Sequence, residues 1–227
     1  MYIDVVERPI SFYPSMVMAI LERRKRNTRR IVNRLRGFGK ITEFGPSTTP
    51  GYDWEFRDRR GCRNSIDNRS LVEKYCPYGK VGDLLWVREC HVETSIPGDC
   101  VYYAGFTDRR GDFWASISRD PRGVRWRPSI HMPRRYARIL LRIAQIRAER
   151  LQDITEEDAF AEGIDTEGDA YVRAEHARLG GIAVVPAIAA FADLWDRINA
   201  DRGYPWERND LIWVITFEIA SYSEGVK

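Results

Sequence analysis

The run DLIWVITFEIAS, residues 210–221, constrains the fold most. β-branched and aromatic residues crowd it, and it reads as a strand near the C-terminus. A strand needs partners, and the chain offers several. RPISF (8–12) is short, Pro-led and suited to a sheet edge. GDLLWVRECHVET (82–94) has a Gly-Asp turn feeding β-formers, and CVYYAGF (100–106) reads as its partner. The run from Ala137 (ARILLRIAQIRAERL) is ambiguous, because Ile139, Leu140, Ile143 and Ile146 also suit a helix face.

Helices are signalled elsewhere. Ser15 is placed to cap SMVMAILERRK, whose Met16, Val17, Ile20 and Leu21 fall on one face, and that helix would carry Lys25 and Thr28 at its end. In ITEEDAFAEG, Thr155 and Asp158 form a capping-box-like pair and Gly163 is a stop. A further helix begins at Pro186 and ends at Gly203, with Phe191, Leu194, Trp195 and Ile198 at core spacing. Residues 37–70 read as loops or a small inserted hairpin, and 107–125 as another polar excursion. Scattered strands with segregated helices imply an α+β fold, a small barrel with helical decoration, rather than βαβ units. At 227 residues and 44% apolar content the chain suits one elaborated domain with a real core. Phosphate-loop, dinucleotide-binding and serine-hydrolase motifs are missing.

No stretch approaches the ~20 apolar residues of a membrane span, and MYIDVVERPISF has no export signal, so a cytoplasmic protein without membrane partners is expected. Cys62, Cys76, Cys90 and Cys100 should then be free thiols. Cys76, Cys90, His91 and Cys100 match no common zinc spacing, and neither metal nor cofactor is expected.

The charge is lopsided. Residues 1–150 hold 30 of the 36 basic and 17 of the 33 acidic residues, a net of +13, and residues 151–227 carry −10. Of the basic residues 31 are Arg, whose forked donors suit phosphate and whose planes stack on bases. The density peaks in LERRKRNTRR (21–30), with five Arg around one Lys. Those arginines can serve as a phosphate surface, and like charges also lower the pKa of a lysine, so Lys25 can be chemically distinct within the same run.

Four segments in order, PISF…MVMAILERRKRNTRR, CPYGKVGDLLWVRE, RPSIHMPRRYARILLRI…RLQDITEEDAFAEGI and LWDRIN…WVITFEI, resemble the ASCH domain family of the PUA-like superfamily, in its long phage and prophage form. The resemblance covers about half the chain. It implies a pseudo-β-barrel with flanking helices, elaborated at 37–70, 104–125 and 165–184, a strand from Ala137, and a cleft for RNA or a nucleoside. A small bacterial member hydrolyses the acyl group of N(4)-acetylcytidine through a Lys and a Thr in the motif G-R-K-T-x-T-x-R. Here RRKRNTRR matches it at Lys25, Thr28 and Arg30, while Arg23 replaces the Gly and Arg26 the first Thr. The family's catalytic Glu corresponds to Glu162.

The resemblance thus implies an amidohydrolase of N-acylated cytidine with Lys25, Thr28 and Glu162 as its reactive set. Arg24, Arg26, Arg29 and Arg30 are candidate nucleic-acid contacts. Trp86 and Arg88 share one strand face with Glu89 beside them and could engage a base, though Trp86 also suits the core and Arg88 and Glu89 a structural role. His131 and Arg134 lie in a Pro-bounded loop and suit a phosphate or a structural hydrogen bond. Two alternatives use the same residues: a non-catalytic module for single-stranded or modified nucleic acid, and a single-strand ribonuclease pairing His131 with Lys25.

Overall fold

A computed structural model describes residues 5–93, 100–104, 126–165 and 186–223. The expected elaborations at 104–125 and 165–184, Ala104 and Asp165 apart, lie outside the described residues. Contacts gather the chain into two compact units, one of Met1–Arg23, Val81–Ala144 and Phe217–Lys227, the other of Arg24–Lys80 and Gln145–Thr216.

In the first unit β1 (Glu7–Ser11) leads into helix α1 (Pro14–Leu21). The helix starts one residue before the expected Ser15 cap: Pro14 occupies the first turn and Tyr13 precedes it without a side-chain cap. Proline fits there because its fixed φ is helical and its missing N–H would be unsatisfied anyway. Helix α1 closes at Leu21, and Arg23 takes a left-handed φ of 61°. Lys25 and Thr28 therefore do not share a helix face.

The second unit opens with β2 (Asn27–Ile31), the hairpin β3 (Arg34–Leu35) and β4 (Gly39–Lys40), and an antiparallel sheet of β5 (Thr42–Pro46), β6 (Trp54–Arg57) and β7 (Arg63–Ile66). Helix α2 (Asn68–Tyr75) follows, capped by Asp67. Residues expected as loops or one hairpin thus form a three-stranded sheet. Its aromatics explain this: Phe44 stacks on Phe56 at 5.9 Å and tilts against Trp54 at 5.3 Å, and Phe38 meets Phe56 edge-on at 5.1 Å. Such pairs stabilise a small sheet whose other residues are polar.

In the first unit again, β8 (Leu84–Arg88) pairs in parallel with β1, which is an edge strand as expected. β9 (His91–Glu93) pairs antiparallel with β10 (Cys100–Tyr102), as the sequence suggested. The ambiguous run is the strand β11 (Ile139–Arg150), which pairs antiparallel with β8. Ile139, Leu141 and Ile143 are buried and Arg142 is exposed, a period of two. Helix α3 (Glu156–Ala161) is capped by Thr155, whose Oγ1 accepts the Asp158 N–H at 3.2 Å, and Gly163 follows at φ 91°. Helix α4 (Ala187–Asn199) extends through a 3₁₀ turn to Gly203. β12 (Leu211–Tyr222) pairs antiparallel with β2.

The main sheet has the order β1-β8-β11-β12-β2, mixed in direction and open at both edges, so the fold is α+β and its described strands close no barrel. Leu211 to Ile215 are buried without interruption, which is why that stretch of β12 reads as a continuous apolar run. In the second unit Ile212 and Val214 pack with Leu151, Ile154, Phe191 and Trp195. That core anchors α3 and α4. Among the described residues no helix is long and apolar enough to cross a membrane.

Candidate functional site

Helix α3 is too short to be stable alone, and its C-terminal end is tied to the residues that lead into β2. The Arg26 N–H donates to the Ala161 carbonyl at 2.7 Å, and the Arg24 guanidinium to the Gly163 carbonyl at 2.8 Å. Asp158 and Glu162, four apart, present their carboxylates toward the side chains of β2.

Lys25 is buried and donates from Nζ to the Glu162 carbonyl at 2.8 Å and to its Oε2 at 2.5 Å. Arg29 is buried too, and its guanidinium reaches three carboxylates: Asp158 Oδ2 at 2.7 Å, Glu149 Oε1 at 2.8 Å and Glu162 Oε1 at 3.3 Å. Arg147, on β11, bridges Glu149 Oε2 at 2.6 Å and Asp158 Oδ2 at 2.5 Å. Asn27 Nδ2 donates to Asp158 Oδ1 at 3.0 Å. The two basic groups respond differently to the same cluster. Burial, the larger effect, lowers the Lys25 pKa although Glu162 opposes it, and the charges of Arg30 and Arg29 lower it further. Burial also works against charged Arg29, but Glu162, Glu149 and Asp158 together outweigh it and raise its pKa. The neutral amine that general-base chemistry requires is therefore brought closer at Lys25.

Thr28 is buried on β2 between Asn27 and Arg29, and strand alternation turns its side chain to the opposite face from theirs, the face of Arg30. Arg29, expected at a nucleic-acid surface, is enclosed by carboxylates instead. Arg26 is exposed, and Arg24 and Arg30 are half-buried.

The other candidates belong to the first unit. Arg88 lies 4.7 Å above the ring of buried Trp86, covering a face that a base would need. Glu89, 1% exposed, is held by Arg138 through two bonds of 3.0 and 2.8 Å, and Arg138 also stacks on Tyr102 at 4.1 Å. Glu89 is thus a structural partner and not a surface contact. His131 is exposed in a 3₁₀ turn, and Arg134 pairs with Glu7 at 2.6 Å. None of the four cysteines is in a disulfide.

Sequence reasoning missed Asn27, Arg147 and Glu149 and took Asp158 only as a capping residue. The i, i+4 spacing of Asp158 and Glu162 signals a paired-carboxylate face once the helix is accepted, and Arg147 and Glu149 share a strand face once β11 is a strand. The chain matches no protein-family model, no curated protein and no solved structure.

Proposed function

We propose that the chain is an ASCH-type protein, its sheet part of a PUA-like pseudo-barrel, that hydrolyses an exocyclic N-acyl amide on a cytidine-like nucleoside. The observation that carries this reading is the buried contact of Lys25 Nζ with Glu162 Oε2 at 2.5 Å. The two residues that the resemblance assigns as base and acid, distant in the chain, share one hydrogen bond, and the lysine pKa is displaced toward the neutral form. Arg30, on the Thr28 face of β2, lies near enough for its charge to act on Lys25.

In the proposed reaction Lys25 accepts the hydroxyl proton of Thr28, and Thr28 Oγ1 adds to the acyl carbon. The carbon–nitrogen bond then breaks as Lys25 hands the Thr28 proton through its hydrogen bond with Glu162 to the exocyclic nitrogen, leaving Lys25 neutral and Glu162 ionised again. Water hydrolyses the acyl-threonine, releasing the carboxylic acid and restoring Thr28. Arg29 and its carboxylates hold Glu162 in place; Arg29 is a positioning residue.

The test is mass spectrometry of a panel of N(4)-acylated cytidines incubated with wild type, Lys25→Ala and Thr28→Ala. Cytidine should appear with wild type and fall at least about 100-fold with either variant, the scale of a lost acid–base group. No product from any acyl group would overturn hydrolysis and leave nucleic-acid binding without chemistry.

A further inference from the structure

The interior position of Arg29 moves the question of phosphate contact to another part of the second unit. Two short segments, RLRGFGK (34–40) and RDRRGCR (57–63), hold seven basic residues against one acid, a net of +6. They meet in the fold. The Arg59 N–H donates to the Phe38 carbonyl at 3.2 Å. Gly39 has φ +77°, and a Cβ there would stand 3.1 Å from Arg59 Cδ, so the glycine opens the space in which the Arg59 stem lies. Arg34 and Lys40 are directly opposite one another across the β3–β4 hairpin, a like-charge pairing that costs stability.

Some of this charge is used locally. Arg57 bonds Glu43 and the Gly61 carbonyl, and Arg63 lies 3.7 Å from Glu55. Asp58, the one acid of the two segments, accepts the backbone N–H groups of Arg60 and Cys62 at 2.8 and 3.0 Å. Arg34, Arg36, Lys40, Arg59 and Arg60 remain. All five are exposed, and among the described residues none forms an ion pair.

We propose that these five side chains form a docking surface for the phosphodiester backbone of a nucleic-acid strand. Four of the five are arginines, whose planar donors match phosphate oxygens. A like-charge pair held open across a hairpin is relieved when a polyanion lies over it. The surface reads phosphates and not sugars, so RNA and DNA strands of equal length bind it alike. It is separate from the chemistry proposed for Lys25, and binding is read without turnover, so the two proposals fail independently.

The experiment is fluorescence anisotropy with a mixed-sequence single-stranded 20-mer, as RNA and as DNA, between 50 and 200 mM salt. Five contacts to a single strand give a log–log salt slope of about −3.5, a loss of affinity of about 100-fold over that range. The variant R34Q/R36Q/R59Q/R60Q should bring the slope to about −0.7 and weaken binding at least about tenfold at the lower salt. The pairs R34Q/R36Q and R59Q/R60Q should fall between, and circular dichroism verifies that each variant is folded. An unchanged slope in a folded quadruple variant would overturn the proposal. So would a tenfold preference for one sugar, or equal affinity for a polyglutamate of matching charge, which would point to an acidic protein instead.

Discussion

Lys25 Nζ and Glu162 Oε2 lie 2.5 Å apart across 137 positions of sequence. The contact is lopsided. Glu162 keeps a second cation, Arg29 at 3.3 Å, whereas removing the glutamate strips Lys25 of its carboxylate and Arg29 of one of three. Removing one partner of a buried pair costs about 3–5 kcal/mol when the other charge is left uncompensated, while replacing both by apolar groups of similar volume is often close to neutral. Lys25→Met should therefore cost about 1 kcal/mol or less and Glu162→Leu about 3 kcal/mol. In the double variant part of the second loss should return. Urea unfolding of the four proteins measures this, and strictly additive losses would show that the pair is uncoupled.

Arg29 holds the cluster together. Replacing it with Met leaves Glu149, Asp158 and Glu162 around a site that has lost its central positive charge. The expected loss is about 3–5 kcal/mol. Arg29→Lys should recover less than half of it, because one ammonium cannot reproduce a fork that binds three carboxylates from two nitrogens. The comparison is the shift in urea midpoint; full recovery by Lys would mean that charge alone matters.

Three strands of the main sheet, β1, β8 and β12, were legible because each carries its own signal, whereas β2 was read as the end of a helix. The β-branched density of 210–221, the Gly-Asp turn before Leu84 and the Pro-led 8–12 are local features, and a local reading recovers them. The run from Ala137 was not, because Ile139, Ile143 and Ile146 satisfy a helix as well as a strand until a neighbouring strand is known. Residues 42–66 were misjudged for a related reason: their polarity is that of a loop, and only pairing brings Phe44, Trp54 and Phe56 together. At the site, the resemblance pointed to Lys25, Thr28 and Glu162, but gave no sign that Arg29 turns inward. Charge counted along a sequence does not distinguish a solvated guanidinium from one enclosed by acids contributed by residues 149 to 162.

Arg23 stands where the motif that this sequence resembles has glycine, and its φ of 61° is the conformation that glycine adopts without a steric penalty. A left-handed L-residue costs roughly 1–2 kcal/mol, and glycine gives back about 0.5–1 kcal/mol in unfolded-state entropy. Arg23→Gly should therefore stabilise the protein by about 0.5–1 kcal/mol. The side chain is exposed, so little packing is lost. Thermal unfolding checks it: a melting temperature unchanged or lowered would show that Arg23 makes a compensating interaction.

His91 makes the stability of the protein depend on pH. It is fully buried, its Nδ1 stands 3.2 Å from the Glu89 carbonyl, and its Nε2 has no hydrogen-bond partner among the described residues. Burial lowers its pKa below the ordinary value, the Glu89 carbonyl and the Glu93 carboxylate resist, and the charges of Arg127 and His131 push the same way as burial. Above about pH 6.5 the imidazole is neutral in both folded and unfolded chains and has no effect. As pH falls through that value the unfolded chain takes up the proton first, so stability declines until the folded pKa is passed. Glu89, whose pKa burial raises against the pull of Arg138, works in the opposite direction, but it is common to wild type and variant. His91→Asn should therefore be less stable at pH 7.5 through lost packing, yet lose less of its remaining stability between pH 7.5 and 5. Urea unfolding across that range gives both slopes, and parallel slopes would show that His91 does not carry the acid sensitivity.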